Sequence, residues 1–214
     1  MADRHLSLNE VAYQAIREKI IQGEFNPGCR IREDHLADEI SMSRTPVREA
    51  INRLVSDGLI INKARKGLYL IDPSREEFES YLDIRIALEK LSVEQCIDRI
   101  EEEGLMRISE ALDEFGFRMK NKKYDLCNQL DGEFHLLIAE ISENKKLYTI
   151  LDELSSFFLQ TRSLEKKENP DVKNIKTLRE HRIIYEAIRN KDKVIAKEAL
   201  FKNIDTMRDN LHLQ

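Results

Sequence analysis

Along most of this chain apolar residues recur three and four positions apart, the period of a helix that buries one face. Val11, Ala12, Ala15, Ile16 and Ile20 predict a first helix over about 9–22, with Asn9 as its N-cap and Gly23 as its stop. A turn-rich connector, GEFNPGCRI, leads to a short helix near 33–40 that turns Leu36, Ala37 and Ile40 inward. The third stripe is Val47, Ala50, Ile51 and Leu54. Its helix is capped by Ser43 or Thr45 and tolerates Pro46, because first-turn amides have no intrahelical partner. SDG ends it, and LIINKARKGLYLI then alternates as two strands joined by a basic turn at Ala64–Gly67. Three helices and a small two-stranded wing make a winged helix-turn-helix, residues 1–72.

DPSREE reads as a linker into a capped helix, with Ser74 and Glu77 at capping-box spacing. Helices are then expected near 75–100, 103–120, 123–142, 145–163, 176–190 and 192–211. The loop EKKENPDVKN (165–174) is the one obvious interruption. The fold is therefore mainly α: the winged helix-turn-helix, followed over 73–214 by an all-α antiparallel helical bundle. Only seven glycines and four prolines punctuate 214 residues, which suits long helices with few tight turns.

Charge changes the picture more than composition does. The net charge of −5 speaks against nucleic acid until its distribution is read. Between Ile40 and Gly67 stand Arg44, Arg48, Arg53, Lys63, Arg65 and Lys66 against only Glu49 and Asp57. The acidic surplus lies mostly after residue 75. No apolar run approaches a membrane span, and the first residues lack the apolar stretch of a signal peptide, so a cytoplasmic protein is expected. Cys29, Cys96 and Cys127 are widely spaced, form no CxxC pair and read as reduced and structural.

The basic stretch has the layout of a recognition helix. Val47, Ala50, Ile51 and Leu54 bury one face, while Arg44, Thr45 and Arg48 stand at the N-terminal end, where such helices reach base edges in the major groove. Ser41 and Ser43 can donate to phosphate, aided by the positive end of the helix dipole. Arg65 and Lys66, beside Gly67, can enter a neighbouring minor groove. A solvated basic face is the bland alternative, but helix order, cap, stripe and basic wing all agree on DNA.

The segment YQAIREKIIQGEFNPGCRIREDHLADEISMSRTPVREAINRLVSDGLI, within residues 11–71, closely resembles the DNA-binding domain of GntR-type bacterial transcription regulators. SRTPVREA is nearly that family's signature around its recognition helix. The resemblance implies that Arg44, Thr45 and Arg48 contact DNA and that Gly67 sits at the wing tip. Ser41 departs from it, standing where the family more often has glycine.

In the second half, polar residues interrupt apolar faces. Leu130, Phe134, Leu137 and Ile141 form a stripe with Asp131 and His135 on its edge, one turn apart, where two residues can bind one ion. His181 lies between Leu178 and Ile184, Tyr185 and Ile188, and Asn203 among Ala196, Ala199, Leu200 and Met207. Each alone reads as a hydrogen-bonded core side chain. Together they aim nitrogen and oxygen at one interior, and unpaired polar groups in a core are costly. Arg162, on an otherwise apolar helix, is a weaker effector candidate.

YLDIRIALEKLSVEQ, DGEFHLLIAEISENKKL and LREHRIIYEAIRNKD resemble the FCD domain, the all-helical ligand-sensing domain of the FadR subfamily, over about residues 76–211. That resemblance implies a divalent metal, commonly zinc or nickel, held by one Asp and three His at the floor of an effector cavity. Asp131, His135 and His181 match three of these ligands. The third histidine falls at Asn203, a weak neutral ligand. The resemblance also implies small carboxylate effectors, and Arg85 matches an Arg-x-x-Leu-Glu motif, with Glu89 placed to hold it. A structural salt bridge is an equal reading of that pair.

The expected function is a homodimeric regulator of a palindromic operator, controlled by a small effector. The alternative, a metal-dependent enzyme fused to a DNA-binding module, finds neither HExxH nor a nucleophile motif. A DNA-architectural protein would have a bundle core without Asp131 and the two histidines.

Overall fold

Sequence and environment can be compared in the computed structural model over residues 7–21, 24–161 and 169–210. The chain divides into two units, residues 1–73 with 156–164, and residues 74–155 with 165–214.

In the first unit, α1 (Leu8–Ile21) begins earlier than expected. Ser7 rather than Asn9 caps it, its Oγ accepting from the Glu10 amide at 3.2 Å. Gly23, the expected stop, lies outside the described residues. Helix α2 (Glu33–Glu39) ends in a Schellman turn: the Met42 amide donates to the Ala37 carbonyl at 2.9 Å and the Ser41 amide to that of Asp38 at 3.2 Å. That turn requires a left-handed residue, and Ser41 supplies it at φ +53°.

Helix α3 (Arg44–Ser56) buries Pro46, Val47, Ala50, Ile51 and Leu54. Ser43 holds the N-cap position in an extended conformation without a side-chain capping bond. The α3 stripe meets Ala12, Ile16 and Ile20 of α1 and Leu36 of α2 in one core. Strands β2 (Ile60–Lys63) and β3 (Gly67–Leu70) form the expected antiparallel wing, Ile60 opposite Leu70 and Lys63 opposite Gly67. A third strand, β1 (Arg30–Ile31), pairs with the other edge of β3, Arg30 opposite Tyr69. Two residues are too few to show a period, so the connector concealed it.

The second unit contains α4 (Arg75–Arg99), α5 (Glu102–Lys120), α6 (Tyr124–Ile141), α8 (Pro170–Arg189) and α9 (Lys193–Asn210), with α7 (Lys145–Thr161) shared across the division. Ser74 caps α4 as expected, accepting from the Glu77 amide at 3.1 Å. Helix α4 packs on α6 and α9, α5 on α6 and α8, and α8 on α9, so five helices close a ring.

Two expectations need correction here. Helix α8 starts at Pro170, inside the expected loop 165–174, because Asn169 accepts from the Asp171 amide at 3.0 Å and proline is pre-set for the first helical turn. The buried face of α6 is Cys127, Asp131, Phe134, His135 and Ile138, whereas Leu130, Leu137 and Ile141 are only half-buried. Asp131 and His135 therefore occupy the centre of that face rather than its edge. None of the cysteines is in a disulfide. Burial pushes the Cys96 thiol up to about 12 and raises that of Cys29, which keeps both protonated and inert.

Candidate functional site

The first unit presents one basic surface. With the α3 stripe buried, Arg44, Thr45 and Arg48 are left exposed on the opposite side near the helix start. Arg48 is held in the free protein by Glu33, the first residue of α2, with Nε and Nη2 each 3.0 Å from Oε2. Arg53 has a different task. Its guanidinium lies 3.8 Å from the centroid of the Tyr13 ring and bonds Glu10 at 2.7 Å, fastening α3 to α1. Tyr13 in turn donates to Asp57 at 2.7 Å; burial first, then that bond, push its hydroxyl up to about 12.

The wing turn is built from backbone. Arg65 and Gly67 take φ of +61° and +103°, and the Lys66 amide donates to the Lys63 carbonyl at 2.9 Å. Arg65 and Lys66 are exposed at the tip. A Cβ on Gly67 would stand 3.4 Å from Nε and Nη2 of Arg30, so β1 brings a third cation to the wing. Sequence reasoning missed Arg30, whose strand gave no pattern.

The second unit gathers the polar core residues. Asp131 and His135 of α6 and His181 of α8 place ligand atoms within 4.8 Å of one another, all three residues buried. Asp131 Oδ1 is 3.2 Å from His181 Nε2. The His181 ring stacks on Phe134 at 4.0 Å between centroids and 10° between planes, with Phe115 edge-on at 6.0 Å. Those rings fix the imidazole plane.

Behind His135 stands a partner from α4. Glu89 Oε2 is 2.5 Å from His135 Nδ1, and Glu89 Oε1 accepts from Arg85 Nε at 2.6 Å. Arg85 Nη1 also reaches Met207 Sδ of α9 at 3.5 Å. Burial works to raise the Glu89 carboxyl, but the charges of His135 and Arg85 and their hydrogen bonds outweigh it, leaving it at about 2. The role of Glu89 toward His135 was not foreseen, since 46 residues separate them and nothing local links them.

This donor set fits a divalent ion. Two imidazoles and a carboxylate are a common three-ligand set, and a carboxylate behind a ligating histidine fixes its tautomer and orientation. With Nδ1 engaged by Glu89, Nε2 of His135 is the nitrogen able to ligate. Asn203 of α9 is buried, but its amide nitrogen donates to Glu180 at 2.9 Å, which leaves Oδ1 as its only ligand atom. Arg162 lies outside the described residues.

Comparison with known proteins agrees with both halves. Residues 8–70 match the family described as bacterial regulatory proteins, gntR family, and residues 80–206 match the FCD domain. An uncharacterized HTH-type transcriptional regulator of Bacillus subtilis, YdhC, is 33% identical over 187 residues, which is 87% of this chain and 83% of that one. The gluconate operon transcriptional repressor of the same organism is 29% identical over 207 residues, 94% of this chain and 83% of its own. The solved structure of E. coli McbR/YncC superimposes with a TM-score of 0.74 at 22% identity, covering 94% of this chain and 95% of that one. A putative GntR regulator from Rhodococcus sp. RHA1 gives 0.75 at 20% identity, over 95% and 97%. The matched families and relatives are regulators rather than enzymes. With a helix-turn-helix in its first unit and a buried polar cluster within an FCD domain in its second, the chain belongs to the GntR family of bacterial transcription regulators.

Proposed function

We propose that this regulator binds a palindromic operator as a homodimer, residues 1–72 reading DNA and residues 73–214 sensing a small carboxylate. The observation that carries the reading is the one-sided α3. Its apolar stripe is wholly buried, while Arg44, Thr45 and Arg48 remain exposed at its start. Those three reach base edges; Ser43, whose hydroxyl makes no capping bond, and Ser41 donate to phosphate; Arg65 and Lys66 flank the duplex at the wing tip beside Gly67. A dimer follows because one such helix reads only a few base pairs, and two half-sites lie about 34 Å apart. Among the described residues no helix is long and apolar enough to cross a membrane, and an operator places the protein in the cytoplasm.

In the sensing unit, Asp131, His135 and His181 would hold a divalent ion, zinc or nickel, with a fourth position for the effector or for the weak Oδ1 of Asn203. A bound ion would supply the positive charge that captures the effector's carboxylate. Glu89 keeps His135 oriented, and Phe134 keeps the His181 ring in plane. Arg85 holds Glu89 in the present geometry; contact with the far end of the effector is its additional proposed role, and that contact requires the pair to loosen. A relative that represses a gluconate operon supports an effector of the sugar-acid or small-carboxylate class. Effector control of DNA binding requires that the effector bind two states of the dimer with different affinity.

Two measurements test this. Arg48→Ala should weaken specific operator binding roughly tenfold to a hundredfold at fixed salt and leave the fold intact; wild-type affinity would remove α3 as the reading helix. Elemental analysis of chelator-free protein should find a divalent metal that is lost in His135→Ala. Protein without metal, indifferent to added zinc or nickel in both melting temperature and operator affinity, would leave the cluster as a hydrogen-bonded core.

A further inference from the structure

The cation that β1 brings to the wing does not stand alone. Arg30 and Arg32 flank Ile31, which is buried in the core of the first unit, and both are exposed. The backbone stays extended through β1 and on to Arg32, at φ −119° and ψ 122°. Side chains therefore alternate, and the two arginines leave on the side opposite Ile31. Neither has a carboxylate at ion-pair distance among the described residues. Arg53, which fastens this unit together, is by contrast bonded to Glu10 and stacked on Tyr13. Arg30 and Arg32 have no such internal task.

The pair lies between the two surfaces read above as facing DNA. On one side the Arg30 guanidinium stands against Gly67 of the wing turn. On the other, Arg32 directly precedes Glu33, whose carboxylate accepts from Arg48 Nε of α3 at 3.0 Å. The strand thus bridges wing and recognition helix within one unit. On the same face of the sheet Tyr69, opposite Arg30, has the Lys63 ammonium 4.8 Å from its ring centroid. The two acids that follow are engaged, Glu33 by Arg48 and Asp34 by the His35 amide at 3.1 Å. Arg30, Arg32, Lys63 and Arg48 outnumber them, so this ridge favours an anion.

We propose that Arg30 and Arg32 bind the phosphate backbone of DNA between the bases read by α3 and the groove flanked by the wing. The proposal rests on the DNA-reading role of α3 and adds to it a contact that is indifferent to sequence. Phosphate contacts fix register and orientation but carry no base information, so losing them weakens binding to every sequence alike. Fluorescence anisotropy of the full chain at fixed salt tests this with two probes: a duplex that the wild type has selected from a random-sequence pool, and the unselected pool. Arg30→Ala/Arg32→Ala should weaken both by the same factor, at least about tenfold, with unchanged helical circular dichroism. Arg48→Ala, measured beside it, should weaken the selected duplex far more than the pool. Arg30→Lys/Arg32→Lys should bind nearly as wild type, since a phosphate contact needs the charge rather than the guanidinium fork. Wild-type affinity in the double alanine variant would overturn the ridge and leave α3 as the reading helix. A loss confined to the selected duplex would overturn it too, by making these arginines base readers. A wild type that selects no duplex, or an Arg48→Ala variant that keeps the preference, would overturn the α3 reading instead. Should the alanine variant fail to fold, Arg30→Gln/Arg32→Gln against the lysine variant decides: equal affinities in the two overturn the ridge.

Discussion

Replacing Glu89 with glutamine removes one charge from a buried series, Arg85–Glu89–His135, without changing its shape. Two lines of reasoning give the size of the loss. Removing one partner of a buried ion pair strands the other and costs about 3–5 kcal/mol. Independently, the Glu89 carboxyl lies at about 2 in the folded chain against its ordinary 4.5. At 1.36 kcal/mol per pH unit, the ionised form is favoured by about 3 kcal/mol. The sign follows from the depressed value: this stability is fully present above pH 4.5 and is lost as pH falls from there through about 2. Urea unfolding followed by helical circular dichroism should therefore show the sensing-unit transition weakened by about 3 kcal/mol in Glu89→Gln at pH 7. The difference from wild type should narrow as pH falls below 4.5. Arg85→Met/Glu89→Gln, which removes both charges, should lose less than Glu89→Gln alone. A Glu89→Gln loss below about 1 kcal/mol, with an unaltered pH profile, would refute the claim that this pair holds the core.

Ser41→Gly should stabilise the first unit by about 1 kcal/mol, because the left-handed backbone at φ +53° costs a residue with a Cβ and costs glycine nothing; thermal melting reads it. Asn203→His restores the imidazole that the FCD resemblance implies and should raise zinc affinity at least about tenfold in competition with a chelator; unchanged affinity would put residue 203 outside the metal site. Glu33→Gln should release Arg48 and alter operator affinity without moving the melting temperature by more than a degree or two, since the pair is largely solvent-exposed.

The elements whose signals are local were readable from the chain. Val47, Ala50, Ile51 and Leu54 announced α3, and Ser74 announced the start of α4, because stripe and cap each lie within one turn or two. The start of α8 was also written locally, in Asn169–Pro170, but the charged run before it read as loop. What stayed hidden depends on distant pairing. Arg85, Glu89 and Ser92 are buried on the inner face of α4, where apolar residues are expected, so its pattern is blurred. The burial of Arg85 and Glu89 makes sense only once His135 arrives from α6. Likewise Asp131 and His135 read as the rim of an apolar stripe, and only the packing of α8 against α6 makes them its centre.

The short strand β1 changes how the wing interacts with salt. By pairing Arg30 opposite Tyr69 it sets that guanidinium against Gly67, so three cations rather than two stand at the wing: Arg30, Arg65 and Lys66. Each phosphate neutralised releases condensed counterions and steepens the fall of log affinity with log salt by about 0.9. On the DNA-binding reading proposed above, three phosphate contacts at the wing would give a salt slope of about 2.7 per wing, a third of it from a residue 35 positions before Arg65 in sequence. On that reading the strand contributes ions released from the DNA surface rather than contacts with bases. A regulator built this way would grip its operator most firmly when the cell's ionic strength is low, with the proposed base contacts of the α3 arginines deciding which sequence it grips.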